Sequence, residues 1–164
     1  MTLENLWAGW RGEYVGGPAS AGEGCVFCRI MTSDLPDDET FVVWRGDACA
    51  ALLNAYPYTS GHLMVLPVRH LSELDELDAR ESAELWPAVT DAVAALKRGY
   101  RPDGINIGIN LGRAAGAGLP GHLHVHCVPR WSGDTNFTTT VANTRVIPET
   151  LATTWKKLRD AWPD

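Results

Sequence analysis

The sequence predicts an α+β protein built on an antiparallel sheet, and three observations carry that prediction. Residues 104–110 and 122–128 alternate strictly between apolar and polar or tiny side chains, the pattern of half-buried strands. Leu85, Val89, Val93 and Leu96 recur at helical spacing behind a start signal at Asp78. Leu151, Trp155, Leu158 and Trp162 repeat that spacing near the end of the sequence. Strands grouped centrally, with helices between and after them, suit one sheet carrying a long helix and a C-terminal helix.

The elements follow in order. Residues 1–24 read as an extension: an aromatic stretch around Leu6, Trp7, Trp10 and Tyr14, then a Gly-, Ala- and Ser-rich flexible connector from Gly16 to Gly24. Residues 25–164 read as one domain, and no internal repeat divides them. Residues 41–45 and 48–53, joined by Gly46-Asp47, read as a hairpin. Residues 62–66 form a third strand, entered through the turn Tyr58-Thr59-Ser60-Gly61. Asp78 with Glu81 three residues later forms a capping box, and Gly99 is the expected stop of the long helix. Pro87 inside that run predicts a kink or a later start. The strand at 104–110 puts Ile105, Ile107 and Ile109 on one face. Pro148 and Glu149 suit the first turn of the last helix.

Bulk properties narrow the function. A formal charge of −6 over 164 residues, with the 14 Lys and Arg forming no run, excludes a nucleic-acid polymer as partner. It does not exclude a small anion, which a few backbone amides can hold. Neither an export signal nor a membrane-length apolar run is evident, so the expected location is the cytoplasm and the four cysteines are expected to be reduced. Cys49 and Cys127 sit in apolar runs and read as buried small hydrophobes.

The chemistry concentrates in the histidines. All five lie within 62–70 and 122–126. On a strand, His122, His124 and His126 share one face while Leu123, Val125 and Cys127 share the other. A row of imidazoles opposite an apolar face is poorly explained by packing. Neutral imidazole is a competent nucleophile, and a protonated neighbour can serve as general acid to a leaving phosphate oxygen. An exposed row with no role and a hydrolytic metal centre are the alternatives, the second weakened because Asp134 is the first acidic residue after the row. The preceding loop, Gly112 to Gly121, brings Arg113 and several glycines that let backbone amides approach an anion, with an ordinary flexible connection between two strands as the alternative. Cys25-Val26-Phe27-Cys28 has the gap of a zinc knuckle, with a redox dithiol or two idle thiols as alternatives. No second such pair exists, so His70 and His122 are the candidates to complete a closed zinc site.

The stretch His122-Leu123-His124-Val125-His126-Cys127-Val128 resembles the signature of the histidine-triad (HIT) family. Asn54 to Pro67, Asn110-Leu111-Gly112, Pro129 to Phe137, and Leu6-Trp7 with Trp10-Arg11 resemble its diadenosine tetraphosphate phosphorylase-like branch. The resemblance implies a five-stranded antiparallel sheet and a homodimer paired across a helix and sheet edge. It implies His124 as the nucleophile taking up a nucleotidyl group, His126 as the phosphate contact and leaving-group assistant, and His62 as a supporting histidine. Asn54 matches the ribose position, while Asn110 and the loop Gly116, Ala117 and Gly118 match the phosphate-binding elements. Cys25, Cys28, His70 and His122 match a structural zinc site. The implied activity is cleavage of dinucleoside polyphosphates, adenine nucleotides above all, by hydrolysis or phosphorolysis. A nucleoside phosphoramidate hydrolase and a non-catalytic nucleotide-binding module remain the alternatives. The chain departs from several phosphorylase relatives at Gly118, where they carry a serine, so one hydroxyl contact to phosphate is missing.

Overall fold

A computed structural model describes residues 24–134 and 147–163. The aromatic N-terminal stretch, most of the glycine-rich connector and the resemblance at 135–137 lie outside the described residues. Two short helices, α1 (Val26–Met31) and the single turn α2 (Asp37–Thr40), lead into strand β1 (Val42–Arg45). Strands β2 (Cys49–Leu53) and β3 (Leu63–Pro67) follow, then the long helix α3 (Ala79–Tyr100), β4 (Gly104–Ile109), β5 (Val125–Arg130) and helix α4 (Leu151–Ala161). The strands form one antiparallel sheet ordered β1-β2-β3-β5-β4. Among the described residues no helix is long and apolar enough to cross a membrane.

The pleat sorts side chains into two cores. Toward α3 and α4, Val43, Ala51, Leu53, Val65, Val125 and Cys127 pack with Leu85, Val89, Leu96 and Leu158. Toward α1, Val42, Leu52, Met64 and Leu66 pack around Phe27. Coverage on both faces explains why β2 and β3 read as unbroken apolar runs rather than alternating ones. Cys49 and Cys127 are fully buried, as their context predicts.

The edges of the sheet differ. On β1, Trp155 Nε1 donates to the Val42 carbonyl at 2.7 Å and Arg159 to the Val43 carbonyl at 2.7 Å, so α4 caps that edge. On β4, Gly104, Asn106, Ile107 and Gly108 are exposed. Ile105 and Ile109 pack on the core, whereas Ile107 stays 48% exposed, so only two of the three isoleucines are covered.

Several boundaries move. The Asp78–Glu81 capping box forms, but α3 starts at Ala79 and runs through Pro87, with no later start. A proline removes one donor and crowds one carbonyl, and the buried face of Leu85, Ala88, Val89 and Ala92 around it outweighs that. Gly99 lies inside the helix, which stops at Arg101 in the left-handed region. Helix α4 starts at Leu151 behind the cap Thr150, not at Pro148. Glu149 instead accepts from Tyr100, from Thr154 at 3.0 Å and from Lys157 at 2.8 Å, tying the start of α4 to the end of α3. Strand β5 begins at Val125, so His122 and His124 precede the regular ladder.

Candidate active site and metal site

The turn before β3 sets the first histidine. Gly61 has φ +84°, and a side chain there would press on Tyr100 and Pro129, so glycine is required for the chain to enter β3 at that angle. His62, 1% exposed, lands at the strand start. The Tyr58 amide donates to His62 Nδ1 at 3.1 Å, so the His62 proton sits on Nε2 and is offered to His126 Nδ1 at 3.0 Å. His126 then carries its own proton on Nε2. Its ring is also flanked by Tyr58, stacked at 6.0 Å, and by His124, edge-on at 4.8 Å.

His124 is oriented the opposite way. Its Nδ1 lies 2.7 Å from the His122 carbonyl and can only donate to it, which leaves a lone pair on Nε2. Burial leaves the ring 5% exposed and pushes its pKa below the ordinary histidine value, so it is neutral at pH 7. Burial, with a smaller contribution from His124, pushes His126 down to about 4. The general acid expected as a protonated neighbour is therefore neutral in the empty site, because desolvation disfavours its charge. The relay from Tyr58 through His62 still presents an Nε2–H donor from His126.

His122 belongs to a second cluster. Its Nε2 donates to the Pro67 carbonyl at 2.8 Å, turning a bare Nδ1 toward Cys25 Sγ at 3.3 Å and Cys28 Sγ at 3.7 Å. His70 Nδ1 lies 3.4 Å from Cys28 Sγ. All four ligand atoms lie within 4.8 Å of one another, and no other such group occurs among the described residues. Bonds of about 2.3 Å to sulfur and 2.0 Å to nitrogen around a tetrahedral ion put sulfur and nitrogen roughly 3.5 Å apart. The three sulfur–nitrogen separations fit that spacing, and two thiols with two imidazoles form a soft donor set with no open position. These four side chains could hold a metal ion. Burial and the neighbouring Cys25 push the Cys28 thiol above its ordinary pKa; a bound cation would reverse that sign. His124 and His126 are not part of this cluster, and their Nδ1 atoms are engaged by the His122 carbonyl and by His62, against a metal centre made of the three strand histidines.

Other expected residues divide. Asn54 Oδ1 accepts from the Tyr56 amide at 2.8 Å, shaping the turn, while its NH2 group bonds no described residue. Asn110 is half-buried just past β4. The amides of Gly116 and Ala117 are engaged within the loop, donating to Arg113 at 2.9 Å and Gly112 at 3.4 Å, while Gly118 is exposed. Arg130 is paired rather than free, held by Asp134 at 2.6 and 2.8 Å and donating to Asn106 at 2.9 Å. Trp131 packs edge-on against Tyr100 at 6.1 Å.

Sequence reasoning missed three contributors. Phe27 meets the rings of both His122 and His124. Tyr58 supplies the amide that fixes His62. Arg69 grips Glu81 at 2.7 and 2.8 Å and so anchors the segment that carries His70. The position of Phe27 between the two cysteines was the one available signal.

The model of the HIT domain matches residues 36–133. The chain belongs to the HIT family. It is 43% identical over 167 aligned positions to a Mycobacterium tuberculosis protein named AP-4-A phosphorylase, covering 98% of this chain and 85% of that one. Among solved structures it is similar to a hypothetical histidine triad nucleotide-binding protein of Sulfolobus tokodaii, at TM-score 0.68 and 31% identity over 84% of this chain and 91% of that one. It is also similar to a zinc-bound histidine triad family protein of Mycobacterium smegmatis, at TM-score 0.67 and 30% identity over 84% and 92%.

Proposed function

We propose that this HIT protein cleaves dinucleoside polyphosphates, diadenosine tetraphosphate foremost, through a covalent nucleotidyl-His124 intermediate. The observation that carries the reading is the orientation of His124: a neutral ring, pinned at Nδ1 by the His122 carbonyl so that Nε2 keeps its lone pair, and set edge-on to the His126 ring at 4.8 Å. The likeness to the protein named AP-4-A phosphorylase supports the substrate class.

In the first step His124 Nε2 attacks the α-phosphorus and the bond to the bridging oxygen breaks. The electron pair leaves with the nucleoside polyphosphate, whose oxygen departs as an anion stabilised by a hydrogen bond from His126 Nε2–H. In the second step water or orthophosphate attacks the same phosphorus, the P–N bond breaks with its electron pair returning to His124 Nε2, and the attacking oxygen's proton passes to solvent. His62 holds the acceptor side of His126 throughout. Asn54 would bind ribose through its free NH2 group, and Asn110 and the Gly118 end of the loop would face the phosphates, since the Gly116 and Ala117 amides are engaged. Cys25, Cys28, His70 and His122 would hold a structural zinc ion, which supplies cross-linking rather than chemistry. Residues 25–164 act as the catalytic domain, 1–24 as an extension, in the cytoplasm. The β4 edge, which no described element caps and where Ile107 and Leu111 are exposed, suits pairing with a second copy.

The test incubates the protein with diadenosine tetraphosphate labelled at one α-phosphate, with and without orthophosphate. ADP plus ATP formed only with orthophosphate identifies phosphorolysis, and AMP plus ATP identifies hydrolysis. No turnover and no labelled protein in either arm overturns the reading.

A further inference from the structure

The geometry points to Phe27 as a positioning residue that fixes the His124 ring for attack, an inference that rests on His124 being the nucleophile. A single hydrogen bond from Nδ1 to the His122 carbonyl locates one atom of the imidazole and leaves the ring free to swing about that contact. An in-line attack needs Nε2 held as well, because small displacements of a reacting atom cost rate steeply. Two rings bear on His124. His126 lies edge-on at 4.8 Å and 77°, and Phe27 edge-on at 5.3 Å and 64°. His126 is itself assigned to the leaving group, whereas Phe27 touches no group that moves protons.

Phe27 is also well anchored. It is 3% exposed, belongs to the one-and-a-half-turn helix α1, and packs among Val42, Leu52, Met64 and Leu66. Its neighbours Cys25 and Cys28 are two of the four candidate metal ligands. The same ring meets His122 edge-on at 5.4 Å and 86°. One aromatic side chain therefore bears on the nucleophile and on the residue whose carbonyl orients it. The cysteine turn, beyond closing a metal site, presents a rigid wall to the catalytic imidazole.

The test is Phe27→Leu, which keeps an apolar side chain in the cluster and removes the flat edge. Single-turnover labelling with diadenosine tetraphosphate should show the rate of nucleotidyl-His124 formation falling roughly 10- to 50-fold at saturating substrate, with half-saturation within about twofold and metal content unchanged. An unchanged rate overturns the proposal. So does a raised KM with kcat intact, which would make Phe27 a substrate contact. A readout independent of turnover is the His124 Nδ1–H proton, expected as a slowly exchanging ring signal in the wild type and a rapidly exchanging one in Phe27→Leu. If the variant does not fold, ring-to-ring Overhauser contacts between Phe27 and His124 in the intact protein decide, and their absence refutes the positioning role. Wild-type protein that never forms an adduct refutes the nucleotidyl-transfer reading instead, while the ring signals still report on Phe27.

Discussion

Two clusters of histidines lie on one side of the sheet and are built by opposite choices of nitrogen. His122 gives its Nε2–H to the Pro67 carbonyl and turns Nδ1 toward sulfur. His124 gives its Nδ1–H to the His122 carbonyl and keeps Nε2 bare. The donor set of the first cluster is closed; in the second, His124 keeps one lone pair and the His126 ring, 4.8 Å away, keeps one N–H. Residue type is the same in both, so the difference lies in which backbone carbonyl each ring can reach. His122 joins the two, since its side chain serves one cluster and its carbonyl the other.

The widest separation between the clusters should come from His124→Asn. Asparagine keeps a polar side chain near the His122 carbonyl but has no nucleophilic ring nitrogen. Turnover of diadenosine tetraphosphate is expected to fall by about 10⁴-fold or more, with no acid-labile adduct, while bound metal per chain stays at the wild-type value. Metal lost together with activity would show the two clusters to be one unit. Cys28→Ser tests the other side. It removes a soft ligand that also neighbours His70, so metal retention should fall and the melting temperature with it, by roughly 10 °C for a loss of about 3–4 kcal/mol. Activity should decay with the folded fraction over time. Immediate loss on adding a chelator, before any unfolding, would instead assign the metal to the chemistry.

Much of this division was legible in the sequence. Alternation put the three histidines on one face, and the two-residue gap between Cys25 and Cys28 marked candidate ligands. The capping box at Asp78 and Glu81 gave the start of α3. What was not legible depends on contacts distant in sequence. Pro87 signals a break locally, yet the buried face around it carries the helix through. Glu149 suits a first turn locally, yet Tyr100, Thr154 and Lys157 recruit it as an acceptor. The tautomers rest on carbonyls at Pro67 and His122 and on the Tyr58 amide, groups that every residue carries and no motif marks. Phe27 is one apolar residue among many until its ring is seen against two imidazoles.

The smallest expected effect concerns the proton inventory of the open cluster. His126 is held at about 4, mainly by burial, so it is neutral when folded and binds a proton below about 6.5 when unfolded. The unfolded chain therefore gains protons first as pH falls, and the native state loses stability between about pH 6.5 and 4. Between pH 7 and pH 5 that loss should be on the order of 1–2 kcal/mol, discounted because the ring is only partly buried. Burial shifts His122 and His124 in the same direction, so the wild-type slope contains all three. Denaturant melts at pH 7, 6 and 5, run on wild type and on His126→Asn, isolate the contribution of His126. The variant should lose less stability across that range. Equal slopes would mean that His126 is not desolvated in solution, and the contrast between a closed, sulfur-facing cluster and a desolvated, neutral pair of imidazoles would have to be redrawn with water inside the second.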